Sequence, residues 1–271
     1  MAFKIRASAA SKLLSGSIDV PLTKEIGAII VKQSEGKTLT PLQSEKLKEY
    51  RTLVNAPKEL PTGPKTYCRG WWIGQRYERS RDFSSKYTSK GIEVEDAAIR
   101  YAEEVLGFFD WEKNEDHFAN DIAKGTPDVL SGEYVIDLKS SFDCFTFPTF
   151  ETEPNQDYVD QLQTYMMLTG KKKAILVYAL MDTPDSIIMS ECWAMARAQG
   201  SDEVTEDVFD YVKAKHTYSH LPPSMRIKAY FFDADPTFES RLTERVLLAR
   251  DYISTLDVDN VFNADGTSFK L

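Results

Sequence analysis

Apolar and polar positions along the chain follow two periods, one helical and one strand-like, and the switches between them predict the elements. Residues 6–16 (RASAASKLLSG) read as a short helix, with Ser8 as N-cap and Gly16 as stop. Residues 40–54 (TPLQSEKLKEYRTLV) read as an amphipathic helix, capped by Thr40 with Pro41 at its first position. Residues 56–64 hold three prolines and a glycine and read as a loop. A helix is expected over 91–107, closed by Gly107. VIDLKS (135–140) alternates as a strand does, after a turn-forming Ser131-Gly132. Residues 155–169 return to the helical period and close at Gly170. KAILVYAL (173–180) is a continuous apolar run, the pattern of a buried strand. A helix over 204–215, a strand over 226–235 and a long helix from Pro236 to about Thr255 complete the pattern. The tail from Asp257 is polar and is expected to fray. No internal repeat or domain boundary interrupts this order. The expectation is an α/β chain, a mixed sheet flanked by helices. It is read as one domain over 1–271, with a helical N-terminal part (1–64) and a polar tail (257–271).

Composition narrows the class. Of 271 residues, 42% are hydrophobic and 28% charged, an ordinary balance for a globular protein. No apolar run approaches the roughly 20 residues that span a bilayer. The opening MAFKIRASAASKLLSG lacks a continuous apolar stretch, so no signal peptide is read and a cytoplasmic location is expected. Cys68, Cys144 and Cys192 are few and far apart, which argues against a disulfide framework and against a zinc or iron–sulfur cluster. His117, His216 and His220 form no metal-ligand pattern either, because prolines follow the last two closely.

The net charge of −9 weighs against a nucleic-acid ligand, but its distribution is uneven. Residues 65–90 carry seven basic side chains, among them Arg76, Arg79 and Arg81, against two acidic ones. Tyr67, Trp71, Trp72, Tyr77, Phe83 and Tyr87 are interleaved with them. Lysines and arginines neutralise phosphates, and aromatics stack on unpaired bases. The same stretch is also compatible with tryptophans packed in a core beneath a solvated charged face.

The candidate chemistry lies in GTPDVLSGEYVIDLKS. On a strand, side chains alternate, so Asp137 and Lys139 share one face while Ile136 and Leu138 point to the other. A turn at Ser131-Gly132 folds Asp128 back beside Asp137. Two adjacent carboxylates repel one another unless a cation neutralises them. Mg²⁺ is the natural occupant, a hard ion held by one or two carboxylates, waters and substrate phosphate. A lysine beside them would orient water and balance the charge developing on a phosphate. An isolated Asp-x-Lys is far more often a solvated polar strand face; the preceding Pro127-Asp128 hairpin makes it more specific.

With its flanking segments, this pattern resembles the PD-(D/E)XK nuclease superfamily, and within it the phage lambda exonuclease and YqaJ-type recombinase family. KGIEVEDAAI supplies the G-x-x-x-E-x-x-A helix through Gly91, Glu95 and Ala98. Glu93 points about 200° away from Glu95 on a helix, so only one of them can face a site. DQLQTYMMLTG supplies the downstream glutamine helix, with Gln161, Gln163 and Tyr165. Ile5-Arg6-Ala7-Ser8 stands where such enzymes open with I-T-A-S, Arg6 replacing threonine. Thr126 matches a hydroxyl position ahead of the Pro-Asp pair.

The resemblance implies a restriction-endonuclease-like core. It implies metal ligation by Glu95, Asp128, Asp137 and the Leu138 carbonyl, with two Mg²⁺ (or Mn²⁺) ions. Lys139 and Gln161 would serve catalysis, and Ser8, Arg6, Thr126 and Tyr165 would lie along bound DNA, helix N-termini being general anion sites. The expected activity is hydrolysis from the ends of linear duplex DNA, 5′→3′, in phage-type recombination within the host cytoplasm. A single-strand annealing protein and a ring-shaped trimer are the implied partners. An endonuclease, a single-strand nuclease, and a non-catalytic DNA-binding protein on a relic fold are the alternatives.

Overall fold

The computed structural model describes residues 2–80, 86–108 and 110–256. Arg81 and the tail from Asp257 lie outside them. In chain order the elements are β1 (Ile5–Arg6), α1 (Ala10–Leu14), α2 (Lys24–Ser34), α3 (Pro41–Val54), α4 (Thr62–Tyr77) and α5 (Lys86–Leu106). Then come β2 (Glu112–Lys113), β3 (Phe118–Ala119), β4 (Ala123–Gly125), β5 (Val129–Ser131), β6 (Tyr134–Ser140), α6 (Gln156–Thr169) and β7 (Lys173–Ala179). Helices α7 (Asp185–Ala198) and α8 (Glu206–Lys215), strand β8 (Ile227–Asp233) and α9 (Phe238–Ser254) complete the order. The chain divides into two compact units: Met1–Phe3, Lys12–Arg79 and Thr243–Leu271 form one, Lys4–Ser11 and Ser80–Leu242 the other.

The first unit is helical. Thr40 caps α3 with a reciprocal capping box to Gln43, and Pro41 fits the first turn because its missing N–H would be unpaired there anyway. Phe3 stacks edge-on against Trp71, ring centroids 5.0 Å apart, and Cys68 and Leu47 are buried. Lys58 bridges Asp19 and Glu244, each at 2.7 Å.

The second unit is built on a mixed sheet of order β2-β5-β6-β7-β8, with a small β1-β4-β3 sheet beside it. A two-residue turn with Gly132 at φ 49° joins β5 to β6 antiparallel, pairing Val129 with Ile136. Helix α6 is the crossover that lets β6 and β7 run parallel. Asn155 caps it by accepting from the Asp157 N–H, and Gly170 closes it at φ 74°. The sheet is covered on both faces. Ile136, Leu138, Ile175 and Val177 pack with Ala98, Ile99 and Ala102 of α5. Val135, Ala174 and Leu176 pack with Leu162, Tyr165 and Met166 of α6. Each such aliphatic side chain contributes roughly 1.5–3 kcal/mol on burial, so β6 and β7 are fixed in register by both layers.

Five sequence expectations need correction. Residues 5–6 are extended, because Ile5 pairs in parallel with Ala123, and Ala7–Ala9 form a 3-10 turn before α1. Ser8 therefore lies inside that turn, and Arg6 holds the cap position without a side-chain cap. Helix α4 begins at Thr62, inside the expected loop, its Pro64 falling in the first turn. Helix α5 begins five residues earlier than Gly91. Three helices, α2, α4 and α7, are additional to the expected elements.

Candidate active site

The hairpin sets the two aspartates. Continuing the β5–β6 register past Val129 and Ile136 puts Asp128 across from Asp137. Asp128 is held in place by its Oδ2, which accepts the Leu138 N–H at 2.9 Å. Asp137 is fully buried at 0% exposure, on the face of β6 that α6 covers. Lys139, two residues on, shares that face and keeps about a quarter of its side chain exposed; its Nζ lies 2.6 Å from Asp137 Oδ2.

Helix α6 lays an amide across this pair. Gln161 Nε2 donates to Asp137 Oδ1 at 3.0 Å and to the Tyr165 hydroxyl at 3.0 Å. Its Oε1 accepts from Lys139 Nζ at 3.3 Å. Gln161 and Tyr165 are one turn apart, so the helix presents both to the strand. Gln163 turns elsewhere, bonding the Asp233 carbonyl and the Asp235 N–H.

The electrostatics are those of crowded like charges. Burial, followed by the Asp137 charge, pushes the Asp128 carboxyl up to about 7, against the opposing pull of Lys139. Burial also raises Asp137, with Lys139 opposing and Glu95 adding to the rise. Burial by itself would lower Lys139, but Asp137 and Asp128 outweigh it and raise its pKa. Tyr165 is pushed up to about 12, by burial first and Asp137 second.

Glu95 approaches from α5, and its charge reaches both aspartates. Its carboxylate is paired with Lys113 of β2 at 3.0 Å, and Lys113 also pairs with Asp96 at 2.7 Å. Among the described residues no three acidic, histidine or cysteine side chains are gathered into a ready-made metal cluster. The donor chemistry nonetheless fits a divalent cation. Asp137 Oδ2 is buried and meets the Lys139 ammonium in an ion pair at 2.6 Å. Two carboxylates that crowd each other, each raised by burial, are what a hard cation relieves.

Of the other expected residues, Thr126 is exposed, its hydroxyl 3.2 Å from His117 Nδ1. Arg6 and Ser8 are exposed at the start of the same unit. Arg76 and Arg79 belong to the first unit; Arg76 lies over the Trp72 ring at 5.9 Å, and Arg79 donates to the Glu78 carbonyl at 3.2 Å. Two residues at the site were missed in the sequence. Lys113 sits on a two-residue strand with no readable period. Tyr158 has its ring 4.8 Å from Lys139 Nζ, and its spacing of three from Gln161 was a usable signal.

The mixed sheet carries both aspartates on its β5–β6 hairpin. Solved structures share the fold over nearly the whole chain. A phage-related exonuclease from Haemophilus somnus 129PT superposes with a TM-score of 0.64 at 22% identity, covering 93% of this chain and 94% of that one. LHK-Exo in complex with dAMP matches at 0.53 and 14% identity, covering 93% and 88%. The alkaline exonuclease LHK-Exo from Laribacter hongkongensis also matches in a second structure, at 0.50 and 14%, covering 93% and 90%. At these identities the likeness is one of fold. No family model matches the chain, and no curated protein does. Among the described residues no helix is long and apolar enough to cross a membrane.

Proposed function

We propose that the protein is a divalent-metal-dependent deoxyribonuclease that hydrolyses linear duplex DNA from its ends. One observation carries the reading: a fully buried carboxylate, Asp137, opposite Asp128 and ion-paired with Lys139, on a fold shared with exonucleases. Asp128 and Asp137 would hold the cation, joined by the Leu138 carbonyl and by Glu95 once it parts from Lys113. A second ion per site belongs to the same reading. Bound there, Mg²⁺ or Mn²⁺ would supply Lewis acidity toward phosphate oxygen and an acidified water.

The side chains do the rest. Lys139 keeps a positive charge at the open side of the site, where charge develops on the phosphate as water attacks and the sugar oxygen leaves. Gln161 orients that ammonium while anchoring Asp137, and Tyr165 anchors Gln161. Arg6, Ser8 and Thr126 are assigned to a terminal phosphate, and Arg76, Arg79 and Arg81 to the duplex backbone. The kinship in fold to a phage-related exonuclease favours a role in phage recombination, and the dAMP bound by LHK-Exo favours a DNA substrate. A 5′→3′ polarity, a ring-shaped trimer and an annealing partner follow from the same reading.

The test is digestion of end-labelled linear duplex, covalently closed circle, nicked circle and single strand with Mg²⁺, Mn²⁺ or Ca²⁺, beside Lys139→Ala. Linear duplex is cut with Mg²⁺ or Mn²⁺ only, and the variant is inactive. Cutting of covalently closed circles would replace the exonuclease by an endonuclease. No cleavage of any substrate, with Lys139→Ala indistinguishable from wild type, sinks the nuclease reading.

A further inference from the structure

We propose that Tyr158 is a positioning residue for Lys139, its ring face holding the ammonium when Asp137 is engaged elsewhere. What Lys139 then acts on rests on the nuclease reading; the clamp itself does not.

Among the described residues, Lys139 Nζ contacts Asp137 Oδ2 at 2.6 Å, Gln161 Oε1 at 3.3 Å and the Tyr158 ring, its centroid at 4.8 Å. A ring face attracts a cation at such a distance through its quadrupole. Tyr158 and Gln161 are three residues apart on α6, so one helical face brings both to the lysine.

The ring is itself fixed. Tyr158 packs edge-on against Tyr178 at 6.0 Å, and Tyr178 against Tyr230 at 6.1 Å. Tyr178 is the cross-strand partner of Lys139 in the parallel register, and it pairs with Lys228 on β8. The far end is tied down, because the Tyr230 hydroxyl donates to the Glu151 carbonyl at 2.7 Å. Three tyrosines thus run from the last strand of the sheet to the face of one ammonium.

The three neighbours differ in what else they can do. Asp137 is a candidate metal ligand, so its charge is shared once a cation arrives. A long lysine stem has many rotamers, and losing its strongest partner would let it leave the site. The Tyr158 ring offers no lone pair that a hard cation prefers over carboxylate oxygen. Of these three contacts, it and the Gln161 carbonyl oxygen are the two that remain.

The experiment replaces Tyr158 by phenylalanine, by leucine, and by a series of ring-fluorinated phenylalanines that keep the shape while weakening the face potential. kcat and KM are measured on linear duplex with Mg²⁺, and the Lys139 15Nζ ammonium resonance is followed in protein saturated with Ca²⁺, which engages Asp137 without turnover. Tyr158→Phe stays close to wild type. Tyr158→Leu lowers kcat by about tenfold with KM unchanged, and broadens the 15Nζ resonance. Fluorination lowers kcat in steps. A flat response across the fluorinated series, or a 15Nζ resonance indifferent to Tyr158→Leu, overturns the proposal. If wild-type protein cleaves nothing, the nuclease reading fails while the resonance still decides the clamp.

Discussion

Gln161 donates its side-chain N–H to Asp137 Oδ1 at 3.0 Å, across 24 residues of sequence. The opposite end of the same amide accepts from Lys139, so the orientation of one side chain is set by a negative and a positive partner together. Gln161→Leu leaves Asp137 Oδ1 and the Tyr165 hydroxyl without this donor and is expected to cost about 1–3 kcal/mol. Gln161→Glu places a third carboxylate against Asp137 and costs more. Urea unfolding of the three proteins in chelator checks the order; equal midpoints would reject it.

Asp128→Asn trades stability against function. The folded carboxyl sits at about 7, above its ordinary 3.8, because burial and Asp137 disfavour its charge. A raised acid is unpenalised below about 4, and the folded state loses stability as pH climbs from there through 7. Wild-type protein in chelator should therefore weaken across that window relative to Asp128→Asn. Mg²⁺ or Ca²⁺ reverses the ranking by stabilising wild type alone. Thermal unfolding at pH 5 and pH 8, with and without cation, is the measurement; a variant weaker than wild type by the same margin at both pH values in chelator contradicts it.

Lys90 supplies a window at the other end of the scale. It is a fully buried lysine, 0% exposed, donating to the Phe142 carbonyl at 2.7 Å. Burial lowers it from 10.5 to about 8, against the pull of Asp182 and Asp143. Below 8 both states are charged and the folded state carries the full penalty; between 8 and 10.5 the penalty fades. Wild type should gain stability over Lys90→Met as pH rises from 8 toward 10. A difference constant from pH 7 to pH 10 would show that Lys90 does not titrate in this range.

Gly125→Ala is expected to reach the site through packing. An added Cβ would lie 2.7 Å from Tyr165 Cε1 and 2.9 Å from Ala7 Cβ, closer than carbon atoms tolerate. Relief requires Tyr165 to move, and Tyr165 anchors Gln161. A loss of about 1–3 kcal/mol is expected, with kcat falling more than KM rises. Denaturation and kinetics on the same preparation test this, and an active variant of unchanged stability would refute it.

The legible parts of the fold are those whose local signals agree with their tertiary setting. Strand β6 alternates and β7 is apolar throughout, and both faces of the sheet are buried as those patterns require. Thr40, Asn155 and Gly170 mark helix ends by their own chemistry. Helix α2 was not read, because Gly27 and the run Ile29-Ile30-Val31 blur its period; only the Thr23 cap announces it. Helix α4 was read for its charge and not for its period. Ser8 was misplaced because pairing to Ala123, distant in sequence, draws Ile5 and Arg6 into a strand. At the site, Asp128, Asp137 and Lys139 were brought together by the hairpin and strand pattern and Gln161 by the resemblance, and the structure sets the four side by side. Lys113 was missed, since a strand of two residues acquires its place only by pairing with β5.

That lysine gives the site a threshold. With its ammonium between Glu95 and Asp96, the acidic rim is already served by a single positive charge belonging to the chain. A sodium or potassium ion arriving there brings no more charge than it would displace, whereas a divalent ion brings twice as much. Occupancy is then an exchange of one cation for another, sorted by valence before size. Lys113→Met should lower that threshold, so that in calorimetry monovalent salt competes with Mg²⁺ more strongly in the variant than in wild type; equal competition in both would exclude the exchange.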